Sequence, residues 1–203
     1  MTKIVFGTSN PKKLADLQII PAPHIELFSL ADIGVAMPDV EENGSTFTEN
    51  ARIKYDALRP LVPPEYLLAT EDSGLEIHAL GNQPGVFSRR WNPERREMTD
   101  EELIIKTIRE LDGKTDRSAQ FVSAIVFGMT SDQSPRTAVG QLLGTIQLNI
   151  DEDQRVPGMP YRALFYVDSA GMMLQHLIDT PYNQRETRTH RELAWQQFLA
   201  QLI

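Results

Sequence analysis

KIVFGTSNPKK, at residues 3–13, is the segment that decides the fold. Its apolar first half, Lys3–Gly7, predicts a short strand. Asn10 is a favoured helix-capping residue and proline is favoured in the first helical turn, so a helix is predicted to begin at Pro11 and to run to about Ile20. A strand that passes directly into a helix is typical of α/β proteins.

The rest of the chain also has a sequence pattern of predicted strands and helices, which is typical of a mixed α/β protein. Further strands are predicted at His24–Leu30, Tyr66–Thr70, Leu75–Leu80, Ala119–Phe127, Thr137–Leu143, Thr145–Ile150 and Arg162–Val167. Capping-box patterns predict helices after Thr46, Thr99 and Thr189. The consecutive strands between residues 119 and 150 suggest an antiparallel meander. The chain has no internal repeat or linker, and its length predicts one compact unit, in one or two lobes.

Composition limits the classes of function. A chain of 203 residues with 41% hydrophobic content can bury a full core, and its lack of cysteine excludes disulfides and cysteine nucleophiles. A net charge of −8 argues against a nucleic-acid partner, since backbone binding needs many cations. No apolar run approaches the roughly 18 residues of a membrane span. We therefore expect a cytoplasmic protein without a membrane partner. A small anionic ligand is compatible with this charge if the chain provides a local cationic pocket.

Lys12 and Lys13 fall in the first turn of the first predicted helix. Cations there face the positive end of the helix dipole, which costs roughly 0.3–1 kcal/mol each when exposed. An anion docked on the free N–H groups of the helix start would reverse this cost. Context alone leaves two interpretations open, a phosphate site or a solvated lysine pair.

Two acidic segments form a candidate metal site. Glu71-Asp72-Ser73-Gly74 follows the predicted strand Tyr66–Thr70, at the strand end where open α/β sheets usually bind ligands. The other segment contains Glu41 and Glu42. Mg²⁺ typically takes one or two protein carboxylates, with waters and phosphate oxygens, so one from each segment would suffice. The alternative for the first segment is a plain acidic turn.

A second predicted helix start also carries cations, since His190 and Arg191 follow the cap Thr189. Arg191 can donate two hydrogen bonds to a phosphate or to a base carbonyl, and His190 can donate one. The alternative is that both side chains are exposed to solvent. The chain has no P-loop, dinucleotide-binding glycine motif, zinc-protease helix or nucleophile elbow.

In order and spacing these blocks resemble the inosine triphosphate pyrophosphatases, which hydrolyse deaminated purine triphosphates to the monophosphate and pyrophosphate. The resemblance covers nearly the whole chain. It rests on TSNPKK at residues 8–13, EENGSTFTENA at 41–51, EDSGL at 71–75, PGVFSR at 84–89 and THR at 189–191.

The resemblance implies an elongated mixed sheet with flanking helices, in one domain over residues 1–203 with two lobes around a cleft, and a homodimer. It implies that Asp72 and Lys13 are catalytic, with Asp72 the base that activates water. Glu41 and Asp72 would bind Mg²⁺. The implied substrate-binding residues are Thr8, Ser9, Asn10, Lys12, Lys13, Ser73, Met159, Tyr161, Arg162, Arg185, His190 and Arg191.

One block departs from the family pattern. Where the family has Gly-Phe-Gly-(Tyr or Trp)-Asp-Pro-x-Phe to bind the base, this chain has GMPYRALF at residues 158–165. Met159 replaces an aromatic residue, whose stacking on a base is worth about 1–3 kcal/mol. Arg162, whose side chain carries only hydrogen-bond donors, stands where the family has an aspartate, which is an acceptor. Arg185 aligns with a family lysine. Tyr161 or Trp91 would have to supply the stacking.

The expected activity is therefore Mg²⁺-dependent hydrolysis of a deaminated purine nucleoside triphosphate. Two alternatives stay open because of the divergent block. One is the same chemistry on another base, such as a modified pyrimidine. The other is a nucleotide-binding protein without catalysis.

Overall fold

A computed structural model describes residues 1–150 and 152–202, and it confirms the mixed α/β class. The strands of this part of the chain are β1 (Thr2–Gly7), β2 (Ile25–Ser29), β3 (Leu67–Ile77), β4 (Gln83–Pro84), β5 (Ser118–Met129), β6 (Arg136–Ile146), β7 (Phe165–Val167) and β8 (Met172–Met173). Its α-helices are α1 (Pro11–Gln18), α2 (Phe47–Leu58), α3 (Asp100–Glu110), α4 (Leu174–Asp179) and α5 (His190–Ala200).

The strands form one open sheet in the order β2-β1-β3-β5-β6-β7-β8, and β4 pairs with β3. β1 lies parallel to both β2 and β3, whereas β7 is antiparallel to β6 and β8. Flanking helices accompany this sheet. Among residues 1–150 and 152–202, no helix is long and apolar enough to cross a membrane.

The chain divides into two compact units. The first comprises Met1–Ser73, Ser123–Gly140 and the chain from His190 onward. One core cluster of this unit packs apolar residues of α2 against those of β1, β3 and β5, including Val5, Ala51, Tyr55, Leu58, Leu68 and Val126. The second comprises Gly74–Val122 and Gln141–Thr189, and its core includes Leu75, Trp91, Leu103, Phe121, Tyr161 and Phe165.

The predicted helix starts are confirmed where a local cap defines them. The side chain of Asn10 accepts a hydrogen bond from the Lys12 amide at the start of α1. Capping boxes are complete at the starts of α2 and α3, and Glu49 is the partner of Thr46 in the first of these. Each cap satisfies backbone N–H groups that the helix itself leaves unpaired.

The predicted strand end at Thr70 is wrong, and so is the alternative of a plain acidic turn, because residues 71–74 lie within the continuous strand β3. Parallel pairing with β1 extends from Leu67 to Thr70, so Glu71 and Asp72 follow the last residue paired to β1. Both side chains are buried. A buried carboxylate is tolerated when it is paired, and the partners of these two come from distant segments that the local pattern does not reveal.

A second predicted strand break, at Gly144, is also wrong, since β6 runs through it. A Cβ atom at this position would lie closer than 3.0 Å to the Tyr166 carbonyl and to the Phe165 ring. The glycine therefore marks a close approach of β7 rather than a strand end. The strand predicted at Arg162–Val167 is shorter than expected, because Pro160–Ala163 forms a 3₁₀ turn.

Gly140 of β6 allows α5 to pack closely against the strand. A Cβ atom here would lie closer than 3.0 Å to the backbone atoms His190 O and Ala194 N. Backbone atoms cannot move aside as a flexible side chain can. The Gly140→Ala variant should therefore be destabilised by about 1–3 kcal/mol, the usual cost of overpacking.

Urea denaturation would measure this change in the free energy of unfolding. Val139→Ala on the same strand is the control, because its side chain is 39% exposed and strand substitutions of this kind span about 1 kcal/mol. Equal stability of Gly140→Ala and the original chain would contradict the close packing of α5 on β6.

Candidate active site

The loop before α1 is closed by its own hydrogen bonds. Thr8 Oγ1 accepts from the Asn10 amide at 3.1 Å, and Asn10 Oδ1 accepts from the Lys12 amide at 3.0 Å. The Lys13 amide donates to the Asn10 carbonyl at 3.1 Å, while Pro11 has no N–H group. The expectation of free N–H groups here is thus wrong for Lys12 and Lys13. Ser9 is exposed.

Glu71 is the buried centre of the first unit. Its carboxylate accepts hydrogen bonds from Lys13 Nζ at 2.7 Å, from Ser123 Oγ at 2.8 Å and from Arg191 Nε at 3.3 Å. Burial by itself would raise the pKa of Glu71, but Lys13 and Arg191 lower this pKa far below its ordinary value of 4.5. Glu71 therefore stays ionised and fixes the positions of two cations that sequence analysis assigned to the substrate.

The suggestion that His190 and Arg191 are solvent-exposed is wrong, because their residues are only 4% and 3% exposed. Besides Glu71, the Arg191 guanidinium donates to Asp16 Oδ2 at 2.6 Å and to Ser73 Oγ at 3.0 Å. Asp16 lies on α1, so Arg191 joins α1, β3 and α5. These contacts give Arg191 a positioning role within the first unit.

Asp72 is held from α2. Asn50 Nδ2 donates to its Oδ2 atom at 3.1 Å, and Lys54 Nζ lies 3.4 Å from its Oδ1 atom. Lys54 Nζ also donates to the Glu71 carbonyl at 3.1 Å and forms an ion pair with Glu42 Oε2 at 2.8 Å. Burial opposes the charge on Lys54, yet the carboxylates of Asp72 and Glu42 raise its pKa. Two carboxylates from separate segments therefore meet at one ammonium group.

The donor set fits a hard divalent cation of the Mg²⁺ type. Within the described residues, no group of three or more His, Cys, Asp or Glu side chains is arranged to hold a metal. Mg²⁺ does not need such a cage, since it usually binds one or two carboxylates and keeps waters or phosphate oxygens. Asp72 and Glu42 meet this requirement. Glu41 is exposed, and its expected role as a ligand stays a prediction.

Asn50 and Lys54 of this site were not expected from the sequence, and Glu42 and Glu71 were expected only as members of the two acidic segments. For Asn50 and Lys54 a signal was nevertheless present. The buried positions of α2 follow helical spacing, and Asn50 and Lys54 occupy this buried stripe. A lysine on the core side of an amphipathic helix needs a buried anion, so its position indicates a pairing partner.

The residues expected to read the base lie in the second unit. Tyr161 is buried, and its hydroxyl donates to the Ser88 carbonyl at 2.6 Å. Trp91 is also buried, and its indole donates to Gln83 Oε1 at 3.1 Å. Arg162, in the 3₁₀ turn, is buried and its Nη1 atom lies 3.4 Å from Gln175 Oε1. Met159 is half-buried, and Arg185 is buried.

Comparison with known proteins supports the resemblance seen in the sequence. The model of the Ham1 family matches residues 4–201. The chain belongs to the Ham1 family. Its relatives include the dITP/XTP pyrophosphatase of Christiangramia forsetii, which is 31% identical over 98% of each chain, and that of an Exiguobacterium species, which is 32% identical over 99% of this chain and 97% of the relative.

Solved structures of the family have the same fold. The Ham1 protein of Staphylococcus aureus aligns with a TM-score of 0.77 at 30% identity, over 99% of this chain and 98% of that one. A HAM1 protein from Coxiella burnetii aligns with a TM-score of 0.77 at 29% identity, over 100% of this chain and 98% of that one. The open sheet with flanking helices is therefore the family architecture.

The lowered pKa of Glu71 predicts how stability depends on pH. A carboxylate whose pKa is lower in the folded than in the unfolded state stabilises the fold above its unfolded pKa, and this contribution is lost as the pH falls below it. For Glu71 the loss begins below about pH 4.5. Glu71→Gln should remove this part of the acid sensitivity. Thermal unfolding measured between about pH 3 and about pH 7, the range in which carboxylates titrate, would detect the change.

At neutral pH the same variant should be destabilised by about 3–5 kcal/mol, because buried cations lose their counter-charge. Glu65→Gln, at an exposed carboxylate, is the matched control. If the free energy of unfolding of Glu71→Gln depended on pH as in the original chain, Glu71 would not be the group responsible for the loss of stability in acid.

Proposed function

We propose that this chain hydrolyses a non-standard purine nucleoside triphosphate to the monophosphate and pyrophosphate, with Mg²⁺ as cofactor. One observation carries the proposal: Lys13, Lys54, Glu42 and Asp72 lie together in the first unit of a Ham1-family chain. Several relatives that match over nearly the whole length are named dITP/XTP pyrophosphatases. The lysines can neutralise the negative charge of a polyphosphate, and the carboxylates can bind a divalent ion.

Asp72 is the proposed base that takes a proton from the attacking water. Asn50 donates to one of its oxygens at 3.1 Å and so helps to orient the carboxylate. Lys13, anchored on Glu71, neutralises charge on the phosphates, and Arg191 keeps α1 against β3. A bound Mg²⁺ would add Lewis-acid stabilisation of the phosphoryl oxygens. The water attack is proposed at the α-phosphorus, so that pyrophosphate leaves.

Further parts of the proposal rest on the family resemblance. Thr8, Ser9, Asn10, Lys12, Ser73 and His190 bind the substrate, and Met159, Tyr161, Arg162 and Arg185 belong to its base-binding part. The chain is a single two-lobed domain over residues 1–203 that acts as a cytoplasmic homodimer. A panel of inosine, xanthosine, adenosine and modified pyrimidine triphosphates, assayed with Mg²⁺ for pyrophosphate and orthophosphate, tests the reaction and the base. Binding without release of either product would indicate a non-catalytic nucleotide-binding protein.

Asp72→Asn should lower turnover by about 10²–10⁴-fold, the usual contribution of a general base, and leave nucleotide binding largely intact. Initial rates and equilibrium binding of inosine triphosphate would measure the two quantities separately. Asp56→Asn is the control, because this carboxylate lies on the exposed side of α2 and pairs with Arg52. Near-normal turnover in Asp72→Asn would exclude Asp72 as the base.

The two neighbouring glutamates should differ in their effect on metal dependence. Glu42 forms an ion pair with the ammonium group of Lys54, which also contacts Asp72, whereas Glu41 is exposed. Glu42→Gln should therefore raise the Mg²⁺ concentration for half-maximal activity more than Glu41→Gln does. A Mg²⁺ titration of activity for both variants tests this, and the reverse order would assign the ligand to Glu41, as the sequence predicts.

A further inference from the structure

Lys54 occupies the point where a cation bound by the two carboxylates would lie. Its Nζ atom is 2.8 Å from Glu42 Oε2 and 3.4 Å from Asp72 Oδ1. The side chain is only 9% exposed, so little water surrounds the ammonium group. Its remaining contact, with the Glu71 carbonyl at 3.1 Å, holds it on β3.

The ammonium and a divalent ion that bridges these two oxygens would compete for the same position between them. Mg²⁺ binds oxygen at about 2.0–2.1 Å and requires nearly octahedral geometry. A metal that bridged the carboxylates would lie in contact with the ammonium, and two cations at that distance repel strongly where little water screens them. Metal binding between Glu42 and Asp72 therefore requires Lys54 to move away.

A displaced Lys54 needs another anion, because a buried ammonium without a partner is costly. Lys13 is held by Glu71, and Glu71 is already shared with Ser123 and Arg191. A triphosphate that arrives with the metal would supply new acceptors. A metal ion that arrives alone would supply none.

We propose that Lys54 is a built-in counter-ion that holds Glu42 and Asp72 in the absence of nucleotide, so that the chain takes up the divalent ion together with the triphosphate and binds the free ion only weakly. This inference rests on the proposed function, because it takes Glu42 and Asp72 as the metal carboxylates. It adds that the divalent ion binds together with the triphosphate rather than before it, which the choice of metal ligands alone does not imply.

The test measures binding of Mn²⁺ alone, without nucleotide, by electron paramagnetic resonance. Lys54→Met removes the competing charge and keeps most of the aliphatic side chain. Its dissociation constant for Mn²⁺ should be at least about tenfold lower than that of the original chain, since a competitor has been removed. Lys106→Met is the matched control, because Lys106 also forms an ion pair, with Glu110 at 3.0 Å, but lies on α3.

Thermal unfolding gives a second readout that does not depend on activity. Without metal, Lys54→Met should unfold at a lower temperature than the original chain, since its two carboxylates repel each other. Added Mg²⁺ should raise the midpoint of this variant more than that of the original chain. Lys54→Gln, which can still donate to the Glu71 carbonyl, provides a milder variant. Failure of both variants to fold even with Mg²⁺ would overturn the inference.

The outcomes also separate this inference from the proposed function. Equal Mn²⁺ affinity in the original chain and in both Lys54 variants would overturn the counter-ion role and leave the metal site in place. If Mn²⁺ binds none of the proteins, with or without a non-hydrolysable triphosphate, both the metal site and the counter-ion role are excluded.

Discussion

The first unit depends on one buried anion, the carboxylate of Glu71. It is fully buried and accepts hydrogen bonds from α1, through Lys13, from β5, through Ser123, and from α5, through Arg191. An ionised carboxylate in this position would be very costly without cations, and the cations would be equally costly without it. Each group therefore makes the burial of the others tolerable, and the same contacts fix two of the cationic side chains of the candidate site.

Charges of opposite sign alternate outward from this centre. Arg191 also contacts Asp16, and on the other side the carbonyl of Glu71 contacts Lys54, which joins Glu42 and Asp72. Such an arrangement holds several charges of both signs close together without a ligand. It also explains how a chain with a net charge of −8 can present cations to a polyphosphate, because local pairing decides the field at the site more than the net charge does.

Sequence patterns predicted the elements that short-range chemistry defines. The caps at Asn10, Thr46 and Thr99 involve neighbouring residues, and all three helix starts are confirmed. The predicted strand breaks at residues 71–74 and at Gly144 are wrong, because distant partners pair the buried carboxylates and pack against the glycine. The Arg191–Glu71 contact joins residues 120 positions apart, so no local pattern could reveal that Arg191 positions Glu71.

The divergent block at residues 158–165 is attached to its surroundings by contacts that do not involve the side chain at position 159. The Gly158 amide donates to Asp100 Oδ2 at 2.6 Å, and Tyr161 donates to the Ser88 carbonyl. These bonds use a backbone group and a buried aromatic residue, neither of which depends on the side chain at position 159. Met159 can therefore differ from the family aromatic without loosening the turn. Since the carboxylates and lysines of the candidate site belong to the other unit, the residues proposed to choose the base can vary while those proposed for phosphate chemistry stay the same.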